Sequence, residues 1–134
     1  MPLKTKTIRQ KINLRANPKQ VYEALMDSKK HSAFTGDKAT IGKKEGAGYS
    51  AYSGYIKGKN VKLVPGKKII QTWKATDEQW PKGHDSEVTF EFAKSATGTQ
   101  LIFTHKKVPA SRYEEFRDGW KKHYWEPLKK WLGK

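Results

Sequence analysis

Cysteine is absent from the 134 residues, which excludes disulfides and thiolate metal sites and leaves no need for an oxidising compartment. Long apolar runs are absent too. No stretch approaches the ~18 residues of a membrane-spanning helix, and residues 1–10 lack the apolar block of a secretory leader. The expectation is a cytoplasmic protein without a transmembrane segment. Arginine is scarce: 28 residues are Lys or Arg, the formal net charge is +15, and the arginines are Arg9, Arg15, Arg112 and Arg117. Arginine makes the planar bidentate contacts that read bases, whereas lysine is a solvated point charge. The balance therefore favours diffuse attraction to an acidic protein surface and speaks against specific nucleic-acid recognition.

Catalytic signatures are missing as well. His31, His84, His105 and His123 form no HExxH or comparable ligand spacing, so no metal or cofactor site is expected. There is no GxSxG elbow and no glycine-rich phosphate loop. A binding protein rather than an enzyme is the expectation.

What the sequence does contain is clear hydrophobic periodicity over a length that suits one domain, 1–134. In "TIRQKINLR", Ile8, Ile12 and Leu14 share one parity, which predicts a half-buried strand. "ANPKQVYEAL" follows, with Asn17 as helix cap, Pro18 at the first turn and Gln20 at the capping-box position. Val21, Ala24 and Leu25 face inward. A second short helix, capped by Ser28, runs through Phe34, and Gly36 releases the chain. Between Ala39 and His105 strand and turn signals alternate. Gly58 reads as a bulge, Pro65-Gly66 as a tight turn, and "TDEQWPKGHD" as a loop. Val88, Phe90 and Phe92 take one face of a strand; Leu101, Phe103 and His105 take one face of the next, which ends at Pro109.

The last segment, "GWKKHYWEPLKKWLGK", combines aromatics with lysines. Tyr113, Phe116, Trp120, Tyr124, Leu128 and Trp131 recur at spacings of three and four, a single helical stripe, with Lys122, Lys129 and Lys130 largely off it. The aromatics are the buried face. Pro127 predicts a kink near His123–Pro127. An antiparallel sheet of this length needs cover for its apolar face, and this helix is the only element large enough. The predicted fold is α+β: a curved antiparallel sheet wrapped around a long C-terminal helix, with two short helices after the first strand.

"AFTGDKATIG", "KLVPGKKIIQTWKA", "WPKGHDSEVTFEF", "GTQLIFTHKKVP" and "GWKKHYWEPLKKWLG" stand in an order that resembles the C-terminal domain of the activator of heat-shock protein 90 ATPase, from about Thr7 to Gly133. The resemblance implies the helix-grip, START-like fold. It also implies a co-chaperone-like role with heat-shock protein 90 as partner. In the eukaryotic activator a separate N-terminal domain makes much of the contact with the chaperone.

Two sets of candidate residues follow. Trp73, Phe90, Phe92, Phe103, His105, Trp120 and Tyr124 are placed between sheet and helix, where they line a pocket for a small apolar ligand or simply fill the core. His105 there is either a general base or a satisfied core histidine. Trp80, with Lys82 and His84, sits on a loop, either as an interface anchor or folded over the sheet edge. Lys57, Lys59, Lys62, Lys67 and Lys68 cluster on two adjacent strands as a basic stripe, either a docking face or a solvated one.

Overall fold

The computed structural model describes residues 3–132; Met1 and Pro2 of the N-terminal stretch, and Gly133 and Lys134 of the closing aromatic segment, lie outside the described residues. Strand β1 (Thr5–Leu14) buries Ile8, Ile12 and Leu14 and exposes Arg9, Lys11 and Asn13, following its alternation. Helix α1 (Pro18–Met26) opens on a complete capping box. The Asn17 side-chain oxygen accepts from the Gln20 N–H at 2.9 Å, and the Gln20 side chain accepts from the Asn17 N–H at 2.9 Å. Such a cap is worth about 1 kcal/mol. Helix α2 (Ser28–Thr35) begins differently from expectation. Asp27, not Ser28, is its cap, accepting from the Lys30 N–H at 3.0 Å. The Ser28 hydroxyl instead accepts from the Ile41 N–H at 2.8 Å, tying α2 to the sheet edge.

Six further strands complete one antiparallel sheet: β2 (Thr40–Ile41), β3 (Gly48–Ala51), β4 (Ile56–Val64), β5 (Lys68–Ala75), β6 (Ser86–Ser95) and β7 (Gly98–Pro109). Their spatial order is β1-β7-β6-β5-β4-β3-β2. Pro65 and Gly66 make the predicted turn, with Gly66 at φ 72° and the Lys67 N–H donating to the Val64 carbonyl at 2.9 Å. The bulge expected at Gly58 lies elsewhere, between Asn60 and Lys62. Gly58 is needed for a different reason. A Cβ there would stand 2.0 Å from the Thr72 carbonyl oxygen and 2.8 Å from the Tyr49 ring. Tyr49 crosses this gap to donate its hydroxyl proton to the same carbonyl at 2.7 Å.

The chain then passes through a 3-10 turn (Ala110–Arg112) into helix α3 (Tyr113–Trp120), a π-helical segment (Lys121–Trp125) and helix α4 (Glu126–Trp131), one continuous C-terminal helix in the grip of the curved sheet. Its aromatic stripe is buried as predicted at Phe116, Trp120, Tyr124 and Leu128. Two residues depart from the pattern. Trp125 is buried, although it falls off the stripe, and Trp131 is 40% exposed. The cause is the π-helical segment: its wider turn inserts one residue into the helical register, so adjacent Tyr124 and Trp125 both point at the sheet. Trp120 and Trp125 stack at 5.6 Å, and Phe103 packs against both, at 4.4 and 5.1 Å. The sheet is fastened to the helix through Gln10. Its amide donates to the Arg117 carbonyl at 2.9 Å and accepts from the Trp125 indole N–H at 2.6 Å.

The irregularity, Lys121–Trp125, overlaps the stretch His123–Pro127 in which Pro127 predicts a kink. Proline has no N–H for the carbonyl one turn back, and that carbonyl, of His123, takes its proton from the Tyr52 hydroxyl instead. No helix among the described residues is long and apolar enough to cross a membrane.

Candidate functional site

Between the sheet and the C-terminal helix lies an open cleft of about 420 Å³. The sheet contributes Ile56 and Trp73, the β3–β4 turn contributes Tyr52 and Tyr55, and the loop after α2 contributes Asp37. The helix supplies Glu115, Phe116, Gly119, Trp120, His123 and Tyr124. Gly119 is the helical residue that leaves room. A Cβ added there would meet nothing nearer than His123 at 3.9 Å, although glycine within a helix costs about 0.5–1 kcal/mol relative to alanine.

Three local structures hold the walls. The β3–β4 turn places two non-glycine residues, Tyr52 and Ser53, at φ 51° and 55°, a backbone state costing about 1–2 kcal/mol per residue. The Ser53 hydroxyl on Asp37 and the Ser53 N–H on the Lys38 carbonyl, at 2.9 Å, stabilise it. The turn lays Tyr52 against His123 and Tyr124, ring centres 5.8 and 5.9 Å away. Burial, with the Asp37 charge adding to it, pushes the Tyr52 hydroxyl up to about 12.

At the other end Arg112 is buried and doubly paired. It holds Asp77 by two bonds of 3.0 and 2.8 Å and Glu115 by two of 2.6 and 3.0 Å, with its plane over Phe116 at 4.7 Å. The hydrogen bonds from Arg112 hold the Asp77 carboxyl down at about 2. Asp77 also accepts from the Tyr55 hydroxyl at 2.6 Å, so one carboxylate aligns a cleft tyrosine and the first turn of α3.

The third wall is the floor. Of the seven rings proposed from sequence, Trp73, Trp120 and Tyr124 line the cleft, whereas Phe90, Phe103 and His105 belong to the packed core beneath and Phe92 packs on Tyr22 of α1 at 5.9 Å. His105 is a satisfied core histidine. Trp120 Nε1–H, which can only donate, reaches its Nδ1 at 3.1 Å. The Ser86 hydroxyl donates to the Trp73 carbonyl at 2.8 Å and so must accept from His105 Nε2–H at 2.7 Å. Both ring nitrogens are assigned and the imidazole is neutral. Burial pushes its pKa down to about 3. His31 is arranged alike, with Nδ1–H donating to the Leu25 carbonyl at 3.0 Å and Nε2 accepting from the Tyr124 hydroxyl at 2.9 Å.

The surface candidates separate. Trp80 is 7% exposed, not a free anchor. Its ring packs on Trp73 at 5.5 Å and Phe116 at 6.0 Å, and its N–H donates to the His84 carbonyl at 2.7 Å. The loop is short enough to fold this indole over the core edge. His84 is half-buried, its Nε2 on the Lys107 carbonyl at 2.7 Å, and Lys82 is exposed. On the outer face of the sheet Lys57, Lys59 and Lys62 are exposed along β4, and Lys74 of β5 stands directly opposite Lys57. Lys67 is exposed at the turn, while Lys68 pairs with Glu91 at 3.6 Å.

Sequence reasoning missed Asp37, Tyr52, Tyr55, Ile56, Glu115, Phe116, Gly119 and His123 as cleft residues. A glycine inside an otherwise strong helix pattern was the one available signal.

Residues 15–133 match the family described as "Activator of Hsp90 ATPase homolog 1-like protein". The chain belongs to this family. Among relatives of the Hsp90-activator family, the activator of 90 kDa heat shock protein ATPase homolog of Dictyostelium discoideum is 34% identical over 128 residues, covering 93% of this chain and 32% of that protein. The human homolog 1 is 29% identical over 117 residues, covering 87% and 34%. The chain thus spans about a third of the length of the curated relatives it matches. A crystal structure of an HSP90 activator from Plasmodium falciparum superposes with a TM-score of 0.82 at 27% identity, covering 98% of this chain and 97% of that one.

Proposed function

We propose that the chain is a co-chaperone-like binding domain of the cytoplasm that docks on an acidic surface of heat-shock protein 90 through the outer face of β4 and β5. The observation that carries this reading is the lysine row on a strand pair of an Hsp90-activator-family fold: Lys57, Lys59 and Lys62 on β4, with Lys74 facing Lys57. Like charges set directly opposite are destabilising within a sheet, so the arrangement makes sense as a surface that meets negative charge. Such attraction is long-ranged and weakens with salt. Trp80 takes no part, because it is buried. The test is a pull-down with heat-shock protein 90 from the same organism, with wild type and the Lys57→Glu/Lys59→Glu/Lys62→Glu variant. A complex that forms at micromolar concentration, weakens with salt and is lost in the variant is expected. Absence of a salt-sensitive complex overturns the reading.

A second reading rests on the cleft: carriage of a small, largely apolar ligand between sheet and helix. About 420 Å³ lies within the range of small-molecule sites, and Gly119 keeps it free of a side chain. Native mass spectrometry of freshly purified protein should show a bound small molecule, lost in Gly119→Leu. A wild-type protein that carries nothing and accepts no apolar probe ends this reading.

A further inference from the structure

We infer that the cleft selects a positively charged amphiphile, an apolar body with an ammonium-type head, over neutral or anionic ligands. This rests on the carrier reading and adds the chemical class of the cargo.

The protein carries +15, yet neither lysine nor arginine is among the residues that line the cleft, while Asp37 and Glu115 are. Asp77 stands directly behind Tyr55. Arg112 pairs with Asp77 and Glu115, so these two carboxylates share one guanidinium, and Asp37 stands apart from it on Ser53, in a protein where basic groups outnumber acidic ones 28 to 13. Charges that line the cleft act at short range, where screening is weakest, and among the lining residues the carboxylates Asp37 and Glu115 are the acidic groups a bound ligand meets.

The Tyr52 hydroxyl donates to the His123 carbonyl, Tyr55 to Asp77 and Tyr124 to His31, and the Trp120 indole N–H donates to His105. Four donors on the lining are thus committed inside the protein. An anionic head needs donors, and these four are already taken. Trp73 and Trp120, 6.0 Å apart, form an aromatic floor, and a cation over such faces is stabilised by the ring quadrupole. His123, the lining group able to carry positive charge, lies at the exposed rim.

The test compares three probes of one chain length, octyltrimethylammonium, 1-octanol and octanoate, by NMR titration of the Gly119 amide and the Trp120 indole N–H in 0.15 M salt. The cation should bind about tenfold or more tighter than octanoate, with the alcohol between them. Asp37→Asn, at a half-buried position where the amide oxygen can still accept from Ser53, should lower the cation-to-alcohol affinity ratio about three- to tenfold, the effect of removing one charge at short range. Glu115→Gln should act in the same direction. Octanoate binding as tightly as the cation, or an unchanged cation-to-alcohol ratio in both variants, overturns the inference. Equal binding of all three probes keeps the carrier reading and removes charge selection; binding of none removes both.

Discussion

The indole N–H of Trp120 donates to Nδ1 of His105 across the interface between helix and sheet, at 3.1 Å. Because the donor cannot reverse, the bond exists only while His105 is neutral. With Nε2–H on Ser86, protonation of the ring would remove the acceptor that Trp120 requires.

This makes stability fall in acid. The folded pKa of His105 is depressed to about 3, whereas an unfolded histidine titrates near ~6.5. Between these values the unfolded state holds more protons, so stability rises with pH through this window and is lost as pH falls. His31, whose pKa burial also lowers, acts in the same sense. The contribution of His105 at pH 5 should be about 2 kcal/mol below that at pH 8. Urea midpoints measured across pH 4–8 check this, and His105→Phe should flatten the slope while lowering stability at neutral pH.

Removing Arg112 should be more harmful than removing either of its acids. Arg112→Ala leaves Asp77, 29% exposed, without its guanidinium and uncovers the Phe116 face, while Glu115, 56% exposed, stays solvated; the loss should be about 1–3 kcal/mol. Asp77→Asn leaves the Glu115 partner in place and should cost less. Thermal unfolding of the two variants ranks them. A milder Arg112→Ala than Asp77→Asn would contradict the geometry.

Tyr52 and Pro127 should be energetically coupled. Tyr52→Phe leaves the His123 carbonyl without its proton donor, at a cost of about 1 kcal/mol. Pro127→Ala supplies a backbone N–H that can reach the same carbonyl. In that background Tyr52→Phe should cost measurably less, giving a coupling energy of about 0.5–1 kcal/mol in a double-mutant cycle. Strict additivity would show that the hydroxyl is not standing in for the missing N–H.

Gly58→Ala should be severely destabilising, by more than about 2 kcal/mol, because its Cβ collides with backbone and not with a movable side chain. Gly46→Ala, where no atom lies within 4 Å of the new Cβ but φ is 85°, should cost less, about 1 kcal/mol. Chemical denaturation of both variants separates steric collision from backbone conformation.

Those glycines also show where a sequence is readable. The alternation of β1, β6 and β7 and the capping box of α1 are local patterns of period two or of fixed spacing, and they appear in the fold where expected. Trp125 was not readable, because the π-helical register shift is a backbone event that no spacing of three or four encodes. Trp80 turned inward because a short loop with its own indole-to-carbonyl bond covers the core edge. The cleft was half legible. Trp73, Trp120 and Tyr124 follow from periodicity, but Tyr52, Tyr55 and Asp37 come together only through a left-handed turn and contacts across distant segments. Charge was legible as an excess but not as a distribution, so the acidic lining of the cleft became visible only in three dimensions.

The pairing of β1 with β7 joins Thr5 to Pro109, and the inner face of both is closed by Trp120 and Trp125. On the ribosome, then, β1 has to wait for β7 and for the helix beyond it. Until those tryptophans have been synthesised the nascent polypeptide holds an apolar sheet without a cover, and it depends on its lysine-rich outer side, or on a helper protein, to stay in solution.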